Sequence, residues 1–199
     1  MNFYKTAPTV WCGRLICILG MIAVQLPAAA PVNLTILQTT DIHAHVIDSI
    51  FDSRQPDWLK LATVIRRERA ASTACLLIDC GDTIQGTLAG VFTRGEISAR
   101  LLNHLDYDAW VPGNHELDFG TRRLVELIEQ VQVPVLNGNL TLYGKRLRAW
   151  RMYNCGGARV AVIGMNSGYL KNWFSEPHTD DFEVTTAAAA LEDLMPQLT

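Results

Sequence analysis

Short apolar runs alternate along this chain with longer segments whose apolar residues recur every three or four positions. The runs at residues 34–38, 75–78 and 109–111 have the length and composition of buried strands. The longer segments between them place their apolar residues on one face of a helix. We therefore predict alternating strands and helices, in which right-handed crossovers build a largely parallel sheet.

Three helices are expected between and after these strands. An aspartate at the first helix start and a threonine at the third can accept hydrogen bonds from free backbone N–H groups, so Asp57 and Thr121 are the predicted N-caps. Each helix has an apolar face at helical spacing. These faces are Trp58, Leu61, Ala62 and Ile65; Ile97, Leu101, Leu102 and Leu105; and Leu124, Leu127, Ile128 and Val131.

The pattern changes in the second half of the chain. Residues 134–136 predict a short fourth strand. Residues 147–153 and 159–163 predict two strands joined by Asn154-Cys155-Gly156-Gly157, a sequence typical of a hairpin, which adds antiparallel pairing to the sheet. A final alanine-rich helix is expected from about Thr186 to Met195. The predicted fold class is α/β, with mixed β-sheets flanked by helices.

The first thirty residues have the pattern of a secretory signal peptide. Lys5 and Arg14 form a positive leader, residues 15–26 are almost entirely apolar, and three alanines follow at 28–30. A membrane span needs about 20 apolar residues. We therefore expect a signal peptide at 1–30, a secreted or periplasmic domain at 31–199, and no stable membrane span after cleavage. An uncleaved N-terminal anchor is the alternative.

The charge of the chain restricts its partners. The formal net charge is −3, and the positive leader contributes none of the acidic residues, so the remaining domain is more acidic still. Binding a nucleic-acid polymer requires lysine and arginine along the phosphates, so we expect no such partner. A small phosphate ester can bind an acidic protein when metal ions supply the positive charge.

Metal-binding side chains follow each of the first three strands. They lie in Asp41-Ile42-His43, in Gly81-Asp82 and in Gly113-Asn114-His115-Glu116-Leu117-Asp118. Ligand sites in open α/β sheets lie beyond the carboxyl ends of the strands, so these groups should meet. On an extended segment Asp41 and His43 would share a face and bind one metal, while Asp82 can bridge two. Oxygen and nitrogen ligands suit Zn²⁺, Mn²⁺, Mg²⁺, Co²⁺ or Fe²⁺ alike.

These three motifs together resemble the signature of the calcineurin-like metallophosphoesterases. The motifs on which this resemblance rests are Asp41-x-His43, Gly81-Asp82-x-x-x-Gly86 and Gly113-Asn114-His115-Glu116-x-Asp118. Residues 39–45 and 107–120 are similar along their whole length to the 5′-nucleotidase branch, and the resemblance covers about 32–199. That branch includes the secreted 5′-nucleotidases, the UDP-sugar hydrolases and the 2′,3′-cyclic-nucleotide phosphodiesterase/3′-nucleotidases.

The resemblance implies a role for each motif residue. Asp41 and His43 would bind the first of two divalent metal ions, Asp82 would bridge both, and Asn114 would bind the second. His115, held by Asp118, would form the catalytic pair. The implied reaction is hydrolysis of a small nucleotide or another phosphate ester by in-line attack of metal-activated water.

Two neighbouring positions need separate interpretations. His45 shares the strand parity of Asp41 and His43, but the resemblance makes it a motif neighbour and not a standard ligand. Ala44 replaces the glycine common at this position in the branch, which costs little unless the backbone there requires a positive φ.

The family completes its dinuclear site with later histidines, including a Gly-His-x-His element that this sequence lacks. We therefore expect residues 31–199 to be the N-terminal part of a metallophosphoesterase domain, truncated before those ligands, with a missing C-terminal region needed for the full site. One alternative is an inactive half-site remnant or fragment with weak metal binding. Another is a thiosulfohydrolase of sulfur oxidation on the same fold.

Overall fold

The three short apolar runs form the parallel sheet that the pattern predicts. A computed structural model describes residues 31–48, 54, 57–174 and 181–198, and the predicted signal peptide lies outside them. Strands β1 (Thr35–Thr39), β2 (Cys75–Asp79) and β3 (Ala109–Trp110) are parallel and lie in that order. Thr39 pairs with Asp79, which in turn pairs with Trp110, so the three strands end at one edge.

Four helices accompany this sheet. They are α1 (Trp58–Ala71), α2 (Leu88–Thr93), α3 (Glu96–His104) and α4 (Thr121–Gln130). The predicted cap of α1 is confirmed, because the Asp57 carboxylate accepts from Lys60 N at 3.1 Å. The predicted cap of α4 is wrong. Its N-cap is Gly120, whose φ of 87° places the chain in a left-handed turn and which makes no side-chain capping bond.

The helices bury the faces that their sequence periodicity indicates. Trp58, Leu102 and Leu127 are each almost completely buried and belong to one apolar cluster with Leu77 of β2. The rings of Trp58 and Tyr107 meet edge to face with centroids 5.9 Å apart. A fully buried aliphatic or aromatic side chain contributes about 1.5–3 kcal/mol, so this cluster stabilises the scaffold below the strand ends.

The second half of the molecule is antiparallel. Its strands are β4 (Leu140–Leu142), β5 (Lys145–Arg146), β6 (Trp150–Cys155), β7 (Ala158–Ile163) and β8 (Phe182–Val184), followed by α5 (Ala187–Leu198). The β6–β7 hairpin and the final helix are confirmed. The small sheet with the order β5-β4-β8 and the helix α2 were not predicted.

Residues 134–136 differ from their prediction. They make isolated parallel bridges, from Val135 to Trp110 and from Leu136 to Arg148, instead of a continuous strand. Pro134 has no backbone N–H to donate, which shortens the pairing at this point. The antiparallel strands therefore form sheets of their own, and the expectation that they extend the parallel sheet is wrong. Among the described residues, no helix is both long and apolar enough to cross a membrane.

Candidate metal centre

Three side chains from the three strand ends meet in one place. The ligand atoms of His43, Asp82 and His115 all lie within 4.8 Å of one another. The imidazole rings of His43 and His115 are 5.0 Å apart and inclined at 69°. Two imidazole nitrogens and a carboxylate oxygen form a donor set that fits a divalent transition metal.

The loop after β1 is a turn and not the extended segment predicted from sequence. The φ angles of Asp41, His43 and Ala44 are 54°, 50° and 55°, all in the left-handed region. The shared-face argument for Asp41 and His43 is therefore wrong, because it assumed strand geometry. At Ala44, where the branch commonly has glycine, the backbone adopts the positive φ that glycine tolerates best, and the Ala44 methyl group is fully buried.

Backbone hydrogen bonds hold this loop against the loop after β2. Asp41 N donates to Gly81 O at 3.0 Å, and His43 N donates to Asp82 O at 2.9 Å. The Asp41 carboxylate accepts from the Thr40 hydroxyl at 2.6 Å, and its other oxygen lies 3.9 Å from His43 Nε2. The side chain of Asp41 is 59% exposed, so it lies at the rim of the site, outside the group of three.

His43 is oriented by the loop after β2. Its Nδ1 lies 3.0 Å from Gln85 O. A carbonyl oxygen only accepts, so Nδ1 carries the proton and Nε2 keeps its lone pair for a metal. Gly86 makes this contact possible, because a Cβ there would lie 2.6 Å from the Cβ of His43. His45, by contrast, is exposed, and its Nδ1 contacts the Asp48 carboxylate.

Asp82 is held in the centre of the site. Its φ of 55° is left-handed, and its Oδ1 accepts from His115 N at 2.9 Å. Below it lies Asp79, a fully buried carboxylate that the sequence analysis did not single out. Asp79 accepts from the hydroxyls of Thr39 and Thr83, each at 2.6 Å, and from Gly81 N at 3.0 Å. Burial raises the pKa of Asp79 to about 6 despite these donors.

The loop after β3 carries the remaining motif residues. Asn114 precedes a 3₁₀ turn, His115–Leu117, and is partly buried. His115 Nδ1 lies 2.7 Å from an Asp118 carboxylate oxygen, the contact that would fix the histidine tautomer. Burial lowers the pKa of His115, but the hydrogen bond and charge of Asp118, with the charges of Asp82 and Glu116, outweigh it and leave the pKa raised.

Glu116 lies behind the site and does not face it. Its carboxylate is completely buried and accepts hydrogen bonds from the backbone N–H groups of Asp82, Thr83 and Gly113. Burial raises the pKa of Glu116 to about 7, against the effect of these three donors. The sequence places Glu116 in the motif, but only the fold brings it below Asp82.

Comparison with known proteins decides the family. Residues 34–192 match the calcineurin-like phosphoesterase family. The chain belongs to the calcineurin-like phosphoesterase family. Phosphoesterases of this family use divalent metals, in agreement with the His43, Asp82 and His115 group.

Curated proteins that are similar to this chain include 5′-nucleotidases. A 5′-nucleotidase from Bos taurus is 36% identical over 136 residues, 64% of this chain and 24% of that protein. A snake venom 5′-nucleotidase from Gloydius brevicauda is 34% identical over 152 residues, 69% of this chain and 26% of that protein. The chain thus spans about a quarter of the length of these curated relatives.

A solved structure shares the fold of this phosphoesterase. The structure of a putative 5′-nucleotidase from Staphylococcus aureus superimposes with a TM-score of 0.74 at 22% identity. The match covers 83% of this chain and 34% of that one. The predicted mixed α/β architecture of the metallophosphatase type is therefore confirmed.

Proposed function

We propose that this chain is the N-terminal, metal-binding part of a hydrolase that cleaves the phosphate esters of nucleotides. The observation that carries the proposal is the convergence of His43, Asp82 and His115 within 4.8 Å. The 5′-nucleotidases among its relatives support a nucleotide substrate, of the 5′-nucleotidase or the cyclic phosphodiesterase/3′-nucleotidase type.

Two divalent ions are proposed for the complete site. Asp41 and His43 would hold the first, Asp82 would bridge both, and Asn114 would hold the second. When bound, such a pair of ions supplies an activated water for in-line attack and neutralises charge on the phosphoryl group. The hydrogen bonds from His43 Nδ1 to Gln85 O and from His115 N to Asp82 Oδ1 keep these ligands oriented.

His115 and Asp118 are the proposed catalytic pair. The raised pKa of His115 favours a protonated ring that donates toward a phosphoryl or leaving-group oxygen. Asp118 fixes the ring through Nδ1 and leaves Nε2 directed away from this contact. Because His115 also belongs to the group of three ligand atoms, its role as acid must be separated from a role as ligand.

The proposed domain organisation and location follow from the sequence pattern. A signal peptide at 1–30 would direct the phosphoesterase domain at 31–199 to the periplasm or the cell exterior. The proposed full site would need the further histidine ligands that the family resemblance implies, in addition to Asp41, His43, Asp82 and Asn114.

Phosphate release tests the proposed activity. Protein expressed from its native gene is stripped with a chelator, reloaded with Mn²⁺ or Zn²⁺, and assayed with AMP, 3′-AMP and 2′,3′-cyclic AMP. We expect metal-dependent hydrolysis of at least one nucleotide, lost in Asp82→Ala. Metal binding without any hydrolysis would refute the proposed activity. We expect the present chain alone to bind these ions weakly and to hydrolyse bis-p-nitrophenyl phosphate slowly or not at all.

The variant His115→Ala distinguishes a role of His115 as proton donor from a role as metal ligand. Loss of a positioned proton donor typically costs at least about 100-fold in rate, so turnover should fall by this factor while metal content changes little. Metal content is measured by atomic emission on the same samples. An equal loss of turnover and metal would make His115 a ligand.

A further inference from the structure

We propose that Glu116 is a positioning residue for Asp82, whose loop it fixes in place before any metal binds. The inference rests on the proposed function in one respect, that Asp82 is a metal ligand. Glu116 itself faces away from the ligand atoms and acts through the backbone.

One carboxylate connects two loops of the site. Glu116 Oε2 accepts from Asp82 N at 2.9 Å and from Gly113 N at 2.6 Å, while Oε1 accepts from Thr83 N at 2.8 Å. Glu116 has no exposed surface, so these N–H groups replace the water that a carboxylate otherwise needs. Both oxygens are therefore committed to holding the loop after β2 against the loop after β3.

The loop that Glu116 holds has an unfavourable backbone conformation. Asp82 has a φ of 55°, in the left-handed region, which costs free energy for a residue with a Cβ even though aspartate tolerates it better than most. The two loops touch backbone to backbone, since a Cβ on Gly81 would lie 2.2 Å from Gly113 N. Glu116 spans this contact and supplies the acceptors that the crowded N–H groups require.

Asp82 is fixed at both its main chain and its side chain. Glu116 accepts from Asp82 N, and His115 N donates back to Asp82 Oδ1 at 2.9 Å. Both partners belong to the same 3₁₀ turn, His115–Leu117. One short turn therefore sets the position of Asp82 relative to His115, two of the three groups whose ligand atoms converge.

The variant Glu116→Gln weakens the link between the two loops while keeping the side chain nearly the same size. An amide has one acceptor oxygen, so at least one backbone N–H would face the NH₂ group instead of an oxygen. Glu126→Gln is the matched control, because it makes the same substitution at a partly exposed residue of α4, where the glutamate pairs with Arg123. Both variants of the full chain are titrated with Co²⁺ at about pH 8, where carboxylates are ionised.

Metal affinity and the cobalt spectrum are the first readouts. Loss of a group that orients a ligand typically costs about 10- to 100-fold in metal affinity. We expect Glu116→Gln to weaken Co²⁺ binding by this factor and to alter the visible absorption of the bound ion, with an unchanged far-ultraviolet circular dichroism spectrum. Glu126→Gln should match the wild type. An unchanged affinity and cobalt spectrum, with only a lower melting temperature, would reduce Glu116 to a structural residue.

Exchange of backbone amide hydrogens can be measured on the metal-free wild type, so this test does not depend on whether the variant folds. We expect the amides of Asp82, Thr83 and Gly113 to exchange slowly in the metal-free wild type, and faster in Glu116→Gln where it folds. Rapid exchange in the metal-free wild type that slows only after Co²⁺ is added would overturn the inference. Slow exchange in a wild type that binds no Co²⁺ would instead refute the metal-site proposal and leave the loop anchored as described.

Discussion

The loops after β1 and β2 carry proposed ligands side by side but are held in different ways. The loop after β2 rests on two buried carboxylates, Asp79 and Glu116, which accept from its N–H and hydroxyl groups. The loop after β1 has no such anchor among the described residues. Its N–H groups at 41, 43 and 44 donate to the carbonyl oxygens at 81, 82 and 83. The first loop therefore takes its shape from the second.

The largest expected effect concerns metal affinity. Asp82→Ala removes a proposed central ligand and the acceptor of His115 N, whereas Asp41→Ala removes an exposed carboxylate at the rim. In the protein expressed from its native gene, we expect losses of about 100-fold for Asp82→Ala and about tenfold for Asp41→Ala, measured by calorimetric titration with Mn²⁺. Equal losses would mean that the two loops contribute equally to metal affinity.

The two buried carboxylates should make stability depend on pH. Burial raises the pKa of Asp79 from 3.8 to about 6 and that of Glu116 from 4.5 to about 7. The folded state thus binds these protons more tightly than the unfolded chain does. The associated stability is present below about pH 4 and is lost as the pH rises through 6 and 7, on the order of 3 kcal/mol per group.

Urea unfolding of the metal-free chain at several pH values measures this loss. The urea midpoint should decrease as the pH rises from about 4 to about 7. Asp79→Asn and Glu116→Gln should each flatten the dependence, while the control Glu126→Gln should retain it. A midpoint that does not fall over this range would show that neither carboxylate retains its proton on folding.

A substitution at Gly86 tests how closely the two loops depend on each other. A Cβ at this position would lie 2.6 Å from the Cβ of His43, and the φ of 140° is itself unfavourable for alanine. We expect Gly86→Ala to lower the free energy of unfolding by about 3 kcal/mol, through overpacking and backbone strain together. Urea denaturation gives the value.

Gly120→Ala is the matched control for strain alone. Its φ is 87°, but an added Cβ would meet no atom within 4 Å. The expected loss is about 1 kcal/mol. If both variants lose the same free energy of unfolding, the close approach of Gly86 to His43 contributes nothing to the loss in Gly86→Ala.

The smallest expected effect comes from Thr87. Its hydroxyl donates to Ala44 O at 2.8 Å and accepts from Gly90 N at 3.3 Å, so it caps α2 and joins the two loops. Thr87→Ala should cost about 1 kcal/mol of unfolding free energy, a typical value for a lost N-cap. Thr93→Ala, at the exposed end of the same helix, should cost less, and the reverse order would contradict the assignment.

Elements with a strong apolar period were predictable from sequence. The parallel strands are short apolar runs, the helices α1, α3 and α4 each have one apolar face, and the β6–β7 hairpin has a glycine-containing turn between two apolar segments. Helix α2 lacks this signal, because Leu88 and Phe92 are 74% and 83% exposed. Strands β4, β5 and β8 have only two or three residues each, too few to establish alternation.

Within the site, chemical type was predictable but conformation was not. The motifs contain the three residues that converge, His43, Asp82 and His115, while the predicted ligand Asp41 lies outside that group. The left-handed turn at Asp41 and His43 contradicts the extended geometry assumed from their spacing. That turn is imposed by carbonyl groups of another loop. The burial of Asp79 and Glu116 also depends on the fold. Each carboxylate accepts from a group far away in sequence, the Thr39 hydroxyl for Asp79 and the N–H groups of Asp82 and Thr83 for Glu116.

The dependence of the first loop on the second has a consequence for the order of folding. Thr39 and Asp79 are forty positions apart in sequence, and each hydrogen bond between the two loops closes a segment of similar length. Such non-local contacts form late, because closing the intervening chain costs conformational entropy first. During synthesis Asp41 and His43 leave the ribosome well before the residues that shape their loop. We therefore expect metal capture to follow collapse of the chain through Glu116 and not to guide it.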